Sequence, residues 1–227
     1  MRAWLAALLL AAAPAWGAPF AVQLGAVRLG LDAPPGFADT SFTGSPRLQE
    51  MGESLTSASN KILLFAISDA DLRAFSQGDT PAFRRYMIVV TPRGLAEQQV
   101  SASQFDEFVA DALRGLGSPA PDDNYRKYLD SQPRGMSVVL AELHRETTVV
   151  SVLQGTRLPA VRRSGFLENM LTKDVPRYAV STTTLLILKG KALSLSVFSD
   201  YDSPADIAWI KAATERWVDQ LERLNRK

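Results

Sequence analysis

The side chains of this sequence that are able to perform acid–base chemistry are few, and His144 is the first to consider. It is the only histidine in the chain, so any mechanism that needs a histidine base or metal ligand depends on it. Strand alternation over residues 137–143 and the next position puts Glu142 and His144 on the same side, opposite the more apolar residues. We therefore expect His144 to point outward near a hairpin tip. If the protein is an enzyme, His144 and Glu142 are the candidate acid/base pair.

Motifs of the common catalytic and nucleotide-binding sites are absent from the sequence. There is no Gly-x-Ser-x-Gly nucleophile turn, no Gly-x-x-x-x-Gly-Lys phosphate loop and no Gly-x-Gly-x-x-Gly fingerprint. Ser45 precedes Pro46, which is typical of a helix cap and not of a nucleophile. The sequence therefore predicts no catalytic residue and no cofactor. A pair of carboxylates for glycoside hydrolysis stays open, because its spacing is set in space and not along the chain.

Acidic clusters are the only local signal for a metal ion, since the chain has no cysteine. The clusters are Asp69 with Asp71, and Asp200 with Asp202 and Asp206. Each precedes a predicted helix and lacks the other ligands of a calcium loop. Helix capping explains both clusters, so we predict no metal site.

The first seventeen residues have the pattern of a cleaved signal peptide. Met1-Arg2 is a basic start, and residues 3–13 form an apolar run that is shorter than the roughly 20 residues needed to span a bilayer. We place the cleavage after Gly17, with Ala18 as the alternative. The prediction is a signal peptide over 1–17 and one soluble domain over 18–227, periplasmic or secreted. The missing cysteine excludes a lipid anchor, and no later segment predicts membrane insertion.

Charge and aromatic residues indicate which partners the mature chain can bind. Of 25 basic residues, Arg2 lies in the signal peptide, which leaves 24 against 24 acidic residues. This balance argues against nucleic acid as a partner. Arg162 and Arg163 lie in the irregular stretch between Pro159 and Pro176, where an anionic partner could bind.

The most clearly signalled element is a helix that starts at Ser203-Pro204, with Asp206 in its first turn. Its apolar stripe contains Ile207, Ile210, Trp217, Val218, Leu221 and Leu224. We expect Trp217, Leu221 and Leu224 to pack on a sheet. Trp209 lies about 90° from the centre of the stripe, on the flank of the helix. It either closes the core edge against the 159–176 stretch or forms, with Tyr201, an aromatic patch that binds a partner.

The remaining pattern indicates an α+β fold. Strands are predicted over 22–31, 61–67 and 86–90, and hairpins over 137–153 and 179–198, the second turning at Lys189-Gly190-Lys191. A short helix follows Ser45-Pro46, and another covers 103–116 with Ser103 and Asp106 as its capping box. Because no repeat or linker divides the chain, we expect one antiparallel sheet flanked by helices in a single domain.

The segments Val27-Arg28-Leu29-Gly30-Leu31 and Pro35-Gly36-Phe37, with the closing strand, hairpin and helix over 178–224, resemble the superfamily of the plant photosystem protein PsbP and the bacterial envelope protein DcrB. The resemblance implies an α/β/α sandwich and a non-enzymatic binding or accessory role, and it assigns no functional residue. We accordingly expect an exported accessory module of the cell envelope with a protein partner. The alternative is a small periplasmic hydrolase with its site near His144.

Overall fold

The computed structural model describes residues 19–114, 116–159 and 176–226. The predicted signal peptide lies outside this described part. So do Arg162 and Arg163, the two candidate anion-binding residues.

The described chain begins with a separate two-stranded hairpin, β1 (Phe20–Leu24) and β2 (Val27–Leu31). The prediction of one strand over 22–31 is wrong, because the chain reverses at Gly25, whose φ of 55° is left-handed. The hairpin is tied to the C-terminal helix, since the Asn225 side-chain amide bonds both the N–H (2.9 Å) and the carbonyl (2.8 Å) of Gly30.

The other described strands form one antiparallel sheet, in the order β3-β4-β5-β9-β8-β7-β6. They are β3 (Phe37–Asp39), β4 (Asn60–Ser68), β5 (Arg85–Pro92), β6 (Ser137–Arg145), β7 (Val149–Arg157), β8 (Tyr178–Leu188) and β9 (Lys191–Asp200). Every neighbouring pair is antiparallel. The predicted α+β class, an antiparallel sheet with helices and a long C-terminal helix, is confirmed.

Helices cover the sheet on both faces. They are α1 (Pro46–Ser54), α2 (Asp69–Ser76), α3 (Ala102–Leu113), α4 (Tyr125–Asp130) and α5 (Pro204–Asn225). The main core lies under α5, and α4 contributes to it. On the opposite face, Leu48 of α1 packs on β4 and β5, and Phe105 of α3 packs on the β7–β9 end.

The capping box of α3 is formed by Ser101 and Gln104, so the predicted box of Ser103 and Asp106 is wrong. The Ser101 hydroxyl accepts the N–H of Gln104 at 3.3 Å, and the Gln104 amide oxygen accepts the N–H of Ser101 at 2.9 Å. Sequence spacing alone did not distinguish the two boxes. A serine lies three positions before both Gln104 and Asp106, and both residue types suit the third helical position.

The C-terminal helix α5 begins as predicted at Ser203-Pro204, with Asp206 completing its capping box. Trp217 and Leu221 are fully buried in the main core. Leu224 is 37% exposed, so its predicted burial is wrong. Its neighbour is Gly30 of β2, where an added Cβ would lie 3.5 Å from the Leu224 Cβ. Because Gly30 has no side chain, part of the Leu224 side chain stays in contact with water.

The β8–β9 turn consists of Lys189 and Gly190, both with left-handed φ values (50° and 76°). Lys191 belongs to β9 and not to the turn, and it is almost fully buried. Its ammonium group donates to the carbonyls of Ala96 (3.2 Å) and Gln98 (2.7 Å). These bonds compensate the burial of its charge and fasten the 93–100 connection to the sheet.

Candidate functional site

A recess of the described surface lies beside β4, at the edge of the sheet. β3 pairs only with Ala66–Ser68, through Asp39, Ala38 and Phe37. Residues 60–65 of β4 therefore have no strand neighbour on that side among the described strands. A cavity of about 650 Å³ occupies the vacant position, and we call it the β4 slot.

The residues that follow β3 direct the chain away from the sheet through a capped turn, a glycine and a helix cap. The Asp39 carboxylate accepts the N–H of Ser41 (3.3 Å) and caps the 3-10 turn Thr40–Thr43. Gly44 adopts a left-handed φ of 61°, and Ser45 then caps α1 at the N–H of Leu48 (3.5 Å). Turn, glycine and cap follow one another without a gap, so β3 cannot extend along β4.

The walls of the slot combine backbone, apolar and polar groups. Residues 62–65 of β4 form one side, and Gln49, Gly52 and Glu53 of α1 form another. Helix and strand are in close contact, since a Cβ added to Gly52 would lie 3.0 Å from the Phe65 ring. Such a mixture of surfaces around several hundred Å³ is typical of a ligand or peptide site.

The charged groups of the slot leave one cation without a partner. The Glu53 carboxylate accepts a hydrogen bond from the Gln49 amide (3.0 Å), and the Arg93 Nε donates to the Ala58 carbonyl (3.1 Å). Lys61 lines the slot and has no ion-pair partner among the described residues. A bound group with a carboxylate would complement it.

The structure gives the predicted acid/base pair, Glu142 and His144, two different partners. The His144 Nε2 lies 3.1 Å from Glu146, and the imidazole is about half exposed. Arg145 donates to the Glu142 carboxylate at 2.6 Å and 3.0 Å, and this bond lowers the pKa of Glu142. A bulge between Glu142 and His144 breaks the simple alternation on which the pairing relied.

His144 also lines a smaller cavity, of about 370 Å³, between the sheet and α5. Ser151 lines this cavity too, but its hydroxyl is bonded to that of Thr184 at 2.8 Å. No described contact joins His144 to Ser151 as a base would join a nucleophile. The geometry of this cavity therefore gives the hydrolase interpretation no particular support.

Tyr201 and Trp209 do not form the exposed aromatic patch that was one interpretation of the sequence. Tyr201 is buried and packs edge-on against Tyr178. Trp209 is half-buried on the flank of α5, beside Phe37, and the Arg85 guanidinium lies 3.9 Å from the centre of its ring. The burial of Tyr201, which follows β9, leaves Trp209 as the accessible ring of the two, and its role as an interface anchor stays a prediction. The predicted contact of Trp209 with the 159–176 stretch falls largely outside the described residues.

Replacing Trp209 with alanine should lower the free energy of unfolding by about 1–3 kcal/mol, because a half-buried ring and a cation–π contact are lost. Urea unfolding of the mature chain measures this loss. Binding at the β4 slot should be unchanged. An unaltered stability combined with lost partner binding would restore the idea that Trp209 is an interface anchor.

The Arg85 guanidinium, which lies over the Trp209 ring, forms an ion pair with the Asp206 carboxylate, with 3.0 Å between the Arg85 Nη2 and the Asp206 Oδ1. Partial burial opposes ionisation of Asp206, but the N–H groups of Ser203 and Asp202 and the Arg85 guanidinium together lower its pKa. Its stabilising effect is therefore present above the unfolded pKa, about 4, and is lost as the pH falls through the lower folded value.

Asp206→Asn should accordingly lower the free energy of unfolding by about 1 kcal/mol at pH 7, through loss of the charged cap. The difference between variant and parent should shrink below about pH 4, as the parent's carboxylate is protonated. Unfolding curves from pH 2 to pH 7 measure it. A difference independent of pH would mean that the charge of Asp206 is not what matters.

The acidic clusters take part in caps and ion pairs. Ser68, not Asp69, caps α2, and the buried Asp71 accepts the N–H groups of Ala82 (2.8 Å) and Phe83 (3.2 Å). Asp200 and Asp202 contact Arg84. Within residues 19–114, 116–159 and 176–226, no three His, Asp or Glu side chains are grouped to hold a metal ion.

Sequence reasoning missed the β4 slot. The turn and helix-start signals at Asp39, Gly44 and Ser45-Pro46 were present, and they mark where β3 must stop. These local signals do not identify the strand that pairs with β3, because strand pairing is set by residues distant along the chain.

Comparison with known proteins gives no family assignment. No protein-family model and no curated protein sequence matches the chain. Two solved structures are similar to it: a mutant of the protein Mog1, with a TM-score of 0.37, and the Saccharomyces cerevisiae Ran-binding protein Mog1p, with a TM-score of 0.35. Each is 16% identical in sequence and aligns over 92% of this chain and 93% of the other. No inference about this chain is based on such low TM-scores.

In the part of the chain that the structure describes, no helix has the length and hydropathy needed to cross a membrane.

Proposed function

We propose that the protein is a non-catalytic accessory module, exported to the bacterial periplasm, that binds a protein partner of the cell envelope through the β4 slot. The sequence features that favour export are the apolar run over residues 3–13 and the small residues before Ala18. The resemblance to the PsbP and DcrB superfamily favours an accessory role.

One observation carries the proposal: the sheet has a recessed open edge. Backbone groups of an unpaired strand are free to bind another chain, and natural proteins cover such edges unless they use them. Here α1 and the 40–43 turn border the edge, yet the 650 Å³ beside it is left unfilled by the described residues. The recess is lined by backbone and by a mixture of apolar and polar side chains, a composition that suits the binding of another chain.

Photo-crosslinking in intact bacteria tests this function. A photoreactive phenylalanine analogue at position 49 should give one discrete protein adduct in the periplasmic fraction. The matched control places the analogue at Glu50, the next residue of α1, which is equally exposed but does not line the slot. The adducted chain should begin at Ala18 or Pro19.

The same experiment can contradict the proposal in two ways. Equal adducts at positions 49 and 50, or none at either, would remove the β4 slot as the binding site. A chain that retains Met1 in the membrane fraction would remove export and release.

A further inference from the structure

We propose that the β4 slot takes an extended peptide segment of the partner, which adds to the sheet as a strand beside residues 60–64 of β4. This inference rests on the proposed function and names the chemistry of the partner. The added strand would occupy the position that β3 leaves vacant after Asp39.

The backbone of β4 determines what fits there. The outward N–H and C=O groups of an open strand are satisfied together by another extended backbone about 4.8 Å away. In β4 a bulge between Ile62 and Leu64 interrupts the regular alternation of these groups, so the peptide would pair along an irregular edge. At the end nearest β3, the Phe65 carbonyl already accepts the Thr40 hydroxyl at 3.0 Å. The stretch from Asn60 to Leu64 has no strand neighbour on this side among the described strands, and at about 3.3 Å per residue it would lie beside roughly five residues of a peptide.

The ends of this stretch are bounded by the chain itself. At one end the 3-10 turn blocks extension towards β3. At the other, the loop before β4 closes back, with the Asn60 N–H bonded to the Ser57 carbonyl at 2.9 Å and the Arg93 N–H to the Ser59 carbonyl at 2.8 Å. A short segment fits between these limits, whereas pairing with a long, flat strand of another sheet is obstructed.

Side chains beside the strand favour a particular composition. Ile62 and Phe65 belong to the apolar cluster on the α1 side of the sheet. Lys61 lines the slot and has no ion-pair partner among the described residues. Peptide side chains alternate between the two faces of a strand, so we expect apolar residues at alternate positions and an acidic residue able to reach Lys61.

The probe is a phage-displayed library of random nine-residue peptides, selected on the full mature chain. Enriched peptides should bind the parent and Glu50→Trp equally. Gln49→Trp places an indole at the slot and should weaken binding at least tenfold. Lys61→Glu adds no bulk and should selectively weaken the binding of acidic peptides. It is the test variant to use if Gln49→Trp fails to fold.

A backbone N-methyl scan of the best peptide distinguishes strand addition from other modes. Removing the N–H groups that face β4 should cost at least tenfold in affinity at every second central residue, while methylation of the residues between them should be tolerated. Amide hydrogen exchange of residues 61–64 should slow on binding, with β8 unchanged.

Several outcomes would overturn strand addition. The first is that no peptide is enriched. The second is an N-methyl pattern that is flat or repeats every three to four residues, and the third is unchanged amide hydrogen exchange in β4. A dimer of the mature chain that Gln49→Trp dissociates would assign the slot to a second copy instead. If a position-49 crosslink to a different protein survives the peptide, N-methyl or exchange results, the proposed function stands and only the peptide-strand inference fails.

Discussion

Trp217→Ala should lower the free energy of unfolding by about 3–5 kcal/mol, the usual range for a buried tryptophan. The side chain is 1% exposed and lies in the main core. Its indole N–H donates to the Asp32 carbonyl at 2.9 Å, which joins α5 to the segment after β2. The substitution therefore leaves a cavity and removes a contact between α5 and the N-terminal hairpin region.

Urea unfolding followed by circular dichroism measures the Trp217→Ala effect. Trp217→Phe is the control, because it keeps most of the apolar volume and removes the N–H group. We expect it to lose clearly less stability than alanine does. A loss below about 1 kcal/mol for Trp217→Ala would show that α5 does not pack on the sheet as described.

Leu221→Ala should cost about 2–5 kcal/mol, as for other fully buried leucines. Leu221 is 0% exposed, whereas Leu224, one turn further along α5, is 37% exposed. Both substitutions remove the same atoms from the same helix, so differences in helix propensity cancel.

Leu224→Ala is therefore the matched control and should cost about 1 kcal/mol or less, because much of its surface already contacts water. The pair is compared by unfolding in the same denaturant series. Equal losses of stability at the two positions would contradict the partial exposure of Leu224 beside Gly30.

If the β4 slot binds a peptide, stability and binding depend on different parts of the molecule. The face under α5 carries the large buried side chains and holds the sheet together. The opposite end, around β3 and α1, supplies the open edge. Substitutions such as Leu221→Ala should thus weaken binding only through unfolding, whereas Gln49→Trp should weaken binding without lowering the stability.

Elements whose signals are local could be predicted from the sequence. The start of α5 at Ser203-Pro204, the helix start at Ser45-Pro46 and the turn at Lys189-Gly190 depend on residues within a few positions. Their conformations are set by caps, by proline and by left-handed φ values. The α+β class followed from the same signals.

Which surfaces meet is a property of the folded molecule that local signals do not contain. The burial of Tyr201, the exposure of Leu224 beside Gly30 and the separate partners of Glu142 and His144 depend on contacts between distant segments. The β4 slot depends on the same kind of contact, since it exists because β3 ends after pairing with three residues of β4. Hydrophobic patterns specify that a strand is buried but not which strand lies beside it, because pairing is chosen by the packing of the whole sheet.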